Sequence, residues 1–272
     1  MINKKTSVWK YLLSALIILI HAVPLYILIG VAFKSRMDMS SRWVLPGYIW
    51  WDNFKNALFR GDMLLALKNS FIITTGAVFL ITLLGALAAF PLARHTSRLN
   101  NRVRGLIMGV MMVPPLSILV PLYSNLAHVG GLSTYWGIIG VLTAFQLPMS
   151  VFLFTNFIRS IPIALDEAAA IDGCGPFRIF ALIILPQLKP VIASVIILTG
   201  VNCWNDYQFS LYLLQSPKLK TITLAISGFF SLQSSDINAA GAAALMGITP
   251  VVFFFLFLQK YFIKGMVDSA IK

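Results

Sequence analysis

The chain has 272 residues, of which 58% are hydrophobic and 11% are charged, and its mean hydropathy is +0.85. A soluble domain usually carries about a quarter charged residues, so this composition excludes a water-covered surface and indicates a membrane protein. The net charge of +12 comes from basic residues scattered between apolar runs, which favours helix flanks over nucleic-acid binding. Two cysteines without paired spacing, Cys174 and Cys203, predict neither a disulfide framework nor a metal site.

Six apolar runs are long enough to cross a bilayer, which takes about 20 mostly apolar residues. We predict spans near residues 11–33, 69–92, 105–127, 135–158, 190–213 and 242–262. No linker between them is long enough for a second domain, so residues 1–272 are predicted to form a single transmembrane domain. The first run resembles a signal peptide but is longer than an h-region of roughly 7–15 residues, and we expect it to remain as a helix.

Six spans place both termini on the same side of the membrane, and the basic residues indicate which side. With the N-terminus inside, 13 basic residues fall on inner segments and 8 on outer ones. The Arg94–Arg104 loop, with four arginines, contributes most, whereas the outer segment Lys34–Lys68 carries six basic residues and argues the other way. Because cytoplasmic loops are enriched in Lys and Arg, we predict cytoplasmic N- and C-termini.

The inner segment between the fourth and fifth spans, residues 159–189, predicts a short helix, a sharp turn and a second helix outside the bilayer. Asp166 and Glu167 suit the positive end of the first helix, and Gly173 permits the left-handed residue that ends it. The alanines that follow Glu167 would let another protein's backbone approach closely. On this local pattern alone, a hairpin lying at the membrane interface is an equally good interpretation.

The spacing of this segment favours a docking role. Glu167-Ala168-Ala169, then Gly173, then Ile183 and Leu185-Pro186 resemble the EAA loop of bacterial ABC importer permeases. The resemblance implies an all-α type I permease fold with six transmembrane helices and a cytosolic coupling helix between spans 4 and 5. In that family this helix docks on an ATPase, with Glu167 as polar anchor and Ala168 and Ala169 as the close-packing face. The implied docking residues are Asp166, Glu167, Ala168, Ala169, Asp172 and Gly173.

The fifth span carries polar residues, which a membrane helix normally directs to a cavity or a partner. Asn202, Asn205 and Asp206 lie at i, i+3 and i+4, so they would share one face of a continuous helix. Amides and a carboxylate beside aromatic rings suit the hydroxyls and C–H faces of a sugar, although bonding between spans is an alternative role. The candidate substrate-pathway residues are Asn202, Trp204, Asn205, Asp206, Tyr207 and Gln208.

Three further segments resemble carbohydrate ABC permeases of the maltose type. These are the Trp204–Tyr207 stretch, the Pro114-Pro115 kink pair with Pro121 in the third span, and the tail Gln259–Gly265. The resemblance is to the second, shorter permease of a heterodimer. In that family the C-terminal tail reaches toward the ATPase interface, which implies the same contact for Met266–Lys272.

The sequence contains no G-x-x-x-x-G-K-[ST] phosphate loop and no H-E-x-x-H or G-x-S-x-G motif. We therefore expect a non-catalytic subunit that binds no cofactor or metal, with ATP and Mg on a partner chain. The expected function is sugar import into a bacterium by alternating access in the inner membrane. The expected partners are a second permease, two cytosolic ABC ATPases, an extracytoplasmic solute-binding protein and the lipid bilayer. The alternatives are the same machinery for polyamine, phosphate or amino acid, and an ion-coupled carrier without an ATPase.

Overall fold

The computed structural model of the chain describes residues 4–230 and 236–270, with side chains over residues 8–230, 236–257 and 259. Regular structure in these ranges is helical, which confirms the predicted all-α class. In chain order the helices are α1 (Lys4–Phe33), α2 (Asp52–Arg60), α3 (Met63–Arg94), α4 (Arg98–Met111), α5 (Leu119–His128), α6 (Tyr135–Ser160), α7 (Ala164–Ile171), α8 (Pro176–Gln187), α9 (Lys189–Trp204), α10 (Gln208–Leu213), α11 (Ile222–Ser227) and α12 (Ile237–Ala270).

Four helices in the described ranges, α1, α3, α6 and α12, are long and apolar enough to cross a bilayer singly. They cover the first, second, fourth and sixth predicted spans. Two further candidates are bent pairs, α4 with α5 at 96° and α8 with α9 at 75°. If each bent pair makes one crossing, the described residues contain six crossings, which is the predicted number.

The predicted third span, residues 105–127, is divided between two helices at its Pro114-Pro115 kink pair. Helix α4 ends at Met111, and a 3₁₀ turn at Pro115–Ile118 leads into α5. Adjacent prolines cause the break, because neither donates an amide hydrogen and the residue before a proline is pushed out of the α region. Pro114 accordingly lies in the extended region, with ψ at 129°.

The predicted fifth span, residues 190–213, is also interrupted. Helix α9 ends at Trp204, and Asn205, Asp206 and Tyr207 separate it from α10. At its other end, α9 meets α8 at Leu188, between prolines 186 and 190, where missing amide donors interrupt the helical ladder. The sequence predicted one helix here because the apolar pattern continues across the break.

The described residues form two compact units, one from the residues up to Leu64 with Ala225–Thr249, and one from Leu65–Leu224 with the residues from Pro250 onward. In the first unit, two amide side chains cap the carboxyl end of α1. The Asn53 amide donates to the carbonyls of Ala32 and Lys34, at 2.8 and 2.7 Å. The Asn238 amide donates to Val31 and Lys34, at 2.9 and 3.0 Å. Carbonyls that a helix end leaves free are thereby satisfied.

The loop after α1 in the same unit is held by its own charged residues. Lys34 is buried, and its ammonium donates to Ser40 Oγ and the Ser41 carbonyl, both at 2.7 Å. Asp38 accepts hydrogen bonds from Ser40 and from the Tyr48 hydroxyl, which lower the pKa of Asp38 to about 2. Lys34, one of the six basic residues that argued against the predicted topology, therefore has a structural role in this loop.

In the second unit, α3 and α6 pack closely and a buried amide ties them to the chain near residue 219. The Ser150 hydroxyl donates to the Ile81 carbonyl at 3.0 Å, and Gly85 leaves room for the Ser150 side chain. Asn69 donates to the carbonyls of Lys218 and Lys220 and accepts from the Tyr135 hydroxyl. The Asn69 contacts fix the end of α3 that lies opposite Arg94, and the Ser150 contact holds the middle of the helix.

Candidate functional site

The segment between α6 and α9 has the predicted short helix, turn and second helix. Helix α7 is exposed over most of its surface, and one exposed face, at i, i+3, i+4 and i+7, contains Ala164, Glu167, Ala168 and Ile171. We call these four residues the docking stripe. Ile171 is 87% exposed, although it is a large apolar side chain. This spacing is the one that a helix uses when it lies in a groove on a partner protein.

The turn after α7 depends on Gly173. Its φ is +82°, a value that side-chain-bearing residues rarely adopt. Amide groups in the turn satisfy carbonyls at the helix end: Gly173 donates to Ala170 at 3.0 Å, and Cys174 donates to Ala169 at 2.9 Å. Gly175 then has an ordinary extended conformation before Pro176, which begins α8. The predicted helix-ending role of Gly173 agrees with this geometry.

Ala168 and Ala169 do not share a face, so the single close-packing face expected for them is wrong. Ala168 is exposed, whereas Ala169 is 6% exposed and belongs to the hydrophobic core of the second unit. Consecutive helical residues lie about 100° apart around the axis, so adjacent alanines can differ in burial, as these two do. Within the motif, Ala168 is on the docking stripe and Ala169 anchors α7 to the rest of the chain.

Asp166 is also turned inward, where it forms an ion pair with Arg94 at the end of α3. Arg94 Nε and Nη2 donate to the two carboxylate oxygens at 2.8 and 3.0 Å, and Nη1 donates to the Ile161 carbonyl at 3.0 Å. Their side chains are 8% and 13% exposed. The carboxylate of Asp166 is therefore occupied by Arg94, and Glu167 supplies the exposed carboxylate of α7. Asp172, the C-cap of the helix, is exposed.

Sequence reasoning missed Arg94, which it used only as a charge in the topology count. No local spacing links Arg94 to Asp166, since 72 residues separate them. It also missed two exposed apolar residues beside the motif, Ile171 and Phe177, the latter 75% exposed. A signal for Ile171 was present, because it follows Glu167 by four residues and so lies on the same helical face.

The candidate substrate-pathway residues lie at a helix end and not along one helical face. Asn202 is exposed on α9, Asn205 is the exposed C-cap of that helix, and Asp206 lies beyond it. The expectation that these three residues share a face of a continuous helix is wrong, because the helix ends at Trp204. Tyr207 and Gln208 are exposed and Trp204 is buried.

Asp206 caps the start of α10. Its Oδ2 accepts from the backbone amide and the hydroxyl of Ser210, at 2.8 and 2.7 Å, and its Oδ1 accepts from the Phe209 amide at 3.3 Å. Its own carbonyl accepts from the Thr223 hydroxyl at 2.7 Å. The geometry gives this carboxylate a local structural task, which the sequence analysis did not consider.

An apolar cavity of about 400 Å³ lies beside this helix end, within the second unit. Side chains from α3, α9 and the part of α12 beyond Pro250 line it, among them Phe71, Trp204 and Phe254. Of the candidate pathway residues, Trp204 lines this cavity. The hydroxyls of Thr74 and Thr82 are buried on its α3 side without a hydrogen-bond partner among the described residues.

Comparison with known proteins identifies the family. Residues 81–268, which include the docking stripe and the α9–α10 break, match the family described as binding-protein-dependent transport system inner membrane component. The chain is 42% identical over 262 residues to the melibiose/raffinose/stachyose import permease protein MelC of Bacillus subtilis (strain 168), covering 96% of this chain and 95% of MelC. It is 30% identical over 273 residues to the probable starch degradation products transport system permease protein AmyC of Thermoanaerobacterium thermosulfurigenes, covering 99% of each chain.

A solved structure shares the fold. The crystal structure of a bacterial ABC transporter involved in the import of the acidic polysaccharide alginate contains a chain that matches 96% of this one, with a TM-score of 0.80 and 20% identity. The match covers 99% of that chain, so the permease fold is shared over its whole length. Since the family match covers most of the chain and the relatives align from end to end, this protein belongs to the binding-protein-dependent transport system inner membrane components, a family of multi-pass membrane proteins.

Proposed function

We propose that this chain is the membrane-spanning permease of an ABC importer that brings a sugar or oligosaccharide into the bacterial cytoplasm. The observation that carries the proposal is the docking stripe, an exposed helical face held in position by a buried ion pair. The chain itself acts as a non-catalytic subunit. ATP and Mg bind to two separate cytosolic ATPase subunits.

The docking stripe has the chemistry of a helix that inserts into a groove on a soluble partner. Ile171 offers an apolar anchor, Glu167 offers one carboxylate, and the alanines allow close approach of the helix backbone. Exposed apolar area outside a membrane span typically marks a protein contact. In this proposal the stripe faces the cytosol, and both termini of the chain lie on that side.

The ion pair supplies a route by which movement of α7 reaches the membrane. Arg94 is the last residue of α3, a candidate span, and it holds Asp166 through two hydrogen bonds. A displacement of α7 by an ATPase therefore pulls directly on the end of α3. For transport, ATP must stabilise the outward-open state more than the inward-open one, and the docking stripe transmits that difference in free energy.

The names of the relatives support a carbohydrate as the transported substrate. MelC is named for import of melibiose, raffinose and stachyose, AmyC is named as a probable permease for starch degradation products, and both align over nearly the whole chain. The exposed amides Asn202 and Asn205 and the ring of Tyr207 offer hydrogen bonds and an apolar surface to a sugar. We assign the substrate pathway to these residues together with Trp204 and Gln208. We further propose that the chain is the second, shorter permease of a heterodimer. An extracytoplasmic solute-binding protein would deliver the sugar to that heterodimer.

The experiment is charge reversal and polar substitution on the docking stripe in the assembled transporter. Glu167→Lys and Ile171→Asp should each abolish co-purification of the ATPase subunits and stop uptake of labelled raffinose by intact cells. Lys55→Glu reverses an exposed charge in the other unit and should leave both unchanged. Normal ATPase binding in both stripe variants would refute the docking role. The wild-type transporter could also show normal ATPase activity with its binding protein but take up none of the sugars tested. That result would refute the carbohydrate assignment and leave the docking role standing.

A further inference from the structure

A second cavity in the same unit, of about 320 Å³, lies between α4 and α6. On α4 its lining follows i, i+3, i+4 and i+7 spacing, with Asn101, Arg104, Gly105 and Met108. On α6 the same spacing recurs in Phe152, Thr155, Asn156 and Arg159. Two helical faces therefore meet across this cavity.

The lining is basic and contains no carboxylate. Arg104 and Arg159 both contribute to it, while the nearest acidic residue in sequence, Asp166, is occupied by Arg94. Arg104 is half-buried and Arg159 is exposed, and two positive charges that line one cavity repel each other when nothing neutralises them. An anion between them removes that repulsion and accepts hydrogen bonds from both.

Two polar atoms at this cavity have no hydrogen-bond partner in the described part of the chain. Arg104 Nε is buried and unpaired, although Arg104 Nη2 donates to Asn101 Oδ1. Thr155 is 5% exposed, and its hydroxyl is also unpaired. Buried polar groups are normally hydrogen-bonded. These two atoms belong to residues that line the same basic cavity, so a single ligand there would satisfy both.

We propose that this cavity binds a phosphate-bearing anion, held by Arg104 and Arg159, with the Thr155 hydroxyl and the Asn156 amide as further donors. Arginine suits phosphate because its planar donors match two oxygens at once. The site lies in the last two turns of α6, a candidate membrane span, and therefore at one surface of the bilayer. Basic pockets between spans at this depth bind anionic lipid headgroups.

The apolar part of the lining favours a phospholipid as the source of the phosphate. Ile107, Met108 and Phe152 line the same cavity as the arginines, and they suit the first carbons of an acyl chain. Free inorganic phosphate shares the headgroup chemistry but gains nothing from these side chains. Helix α6 leads directly into the segment that carries the docking stripe. An anion bound in this cavity therefore links the end of α6 to α4.

The test is native mass spectrometry of the transporter purified in a neutral detergent, titrated separately with phosphatidylglycerol, phosphatidylcholine and inorganic phosphate. Wild-type protein should bind phosphatidylglycerol more tightly than phosphatidylcholine. The double variant Arg104→Gln/Arg159→Gln should lose at least about tenfold in affinity, the loss expected for charged hydrogen bonds. Arg102→Gln, an exposed arginine on α4 outside the cavity, is the matched control and should bind as wild type does.

Thr155→Val separates a binding role from a structural one. It removes a buried hydroxyl that has no protein partner, so the melting temperature of the lipid-free protein should not fall, while the affinity for phosphatidylglycerol should fall several-fold. Arginine-dependent binding of inorganic phosphate without phosphatidylglycerol binding would keep the anion site and identify free phosphate as its ligand. Equal affinity of the double variant and the wild type for every probe would overturn the proposal.

Discussion

Arg94 and Asp166 form a bidentate ion pair that joins the end of α3 to the first turn of α7. Both side chains are almost fully buried, and the third donor of the guanidinium holds the Ile161 carbonyl, just after the end of α6. One arginine therefore holds three elements together where the docking stripe emerges. The ion pair explains why a helix of eight residues keeps a defined position.

Breaking this pair from one side should be strongly destabilising. Arg94→Gln or Asp166→Asn leaves the other charge buried without its partner, which typically costs about 3–5 kcal/mol. The double variant should cost less than the sum, because it removes both charges together. Thermal unfolding of the purified protein measures each step of this cycle.

The exposed pair of Lys55 and Asp52 is the control for that cycle. Its atoms are 3.2 Å apart, but the side chains are 68% and 53% exposed. Water screens such a pair, so removing either partner should cost less than about 1 kcal/mol. Equal effects at the two pairs would contradict the structural role assigned to Arg94.

Gly173 and Gly175 should respond differently to the same substitution. Gly173→Ala forces a side-chain-bearing residue to φ near +82°, which costs roughly 1–2 kcal/mol. Gly175→Ala should be nearly neutral, because its φ is −74° and an added Cβ there meets no atom within 4 Å. In thermal unfolding, the melting temperature should fall for Gly173→Ala and not for Gly175→Ala. Gly173→Asn should lower the melting temperature less than Gly173→Ala does. A similar loss at Gly175 would mean that bulk, and not backbone conformation, limits this turn.

Enlarging the two alanines of the motif should separate folding from docking. Ala169→Leu places extra carbons in a packed core and should destabilise the protein by about 1–3 kcal/mol. Ala168→Leu lies on the exposed docking stripe, so it should leave the melting temperature unchanged and weaken ATPase binding. Unfolding and co-purification of the ATPase subunits, measured on the same preparations, test both expectations. The assignment of faces fails if Ala168→Leu destabilises the isolated permease as much as Ala169→Leu does.

Asp206 and Asn205 are adjacent, but substitution of Asp206 should affect protein stability and substitution of Asn205 should affect sugar uptake. Asp206→Ala removes the cap of α10 and should cost about 1 kcal/mol of stability. Asp206→Asn retains an acceptor and should be milder. Asn205→Ala changes an exposed amide, so it should preserve stability while reducing uptake of labelled sugar. Paired measurements of melting temperature and uptake would show whether structure and cargo recognition divide between these neighbours as proposed.

Local pattern was enough to predict the helical class, the position of four spans and the short helix with its turn. Each depends on neighbours along the chain: a run of apolar residues, an acidic first turn, or a glycine that permits the left-handed residue at a helix end. The same local reasoning underestimated the break within residues 105–127, where it expected only a kink, and missed the one within residues 190–213. There the apolar pattern continues, but prolines and a capping aspartate interrupt the helices.

Composition and motif spacing were sufficient for the class of protein, its family and the segment that should dock. Tertiary structure was needed to assign Ala169 and Asp166 to the interior and Glu167, Ala168 and Ile171 to the exposed face. It was also needed to find the partner of Asp166 and the basic cavity between α4 and α6. The physical reason is that periodicity records which residues share a helical face, whereas the direction of that face depends on contacts between residues distant in sequence.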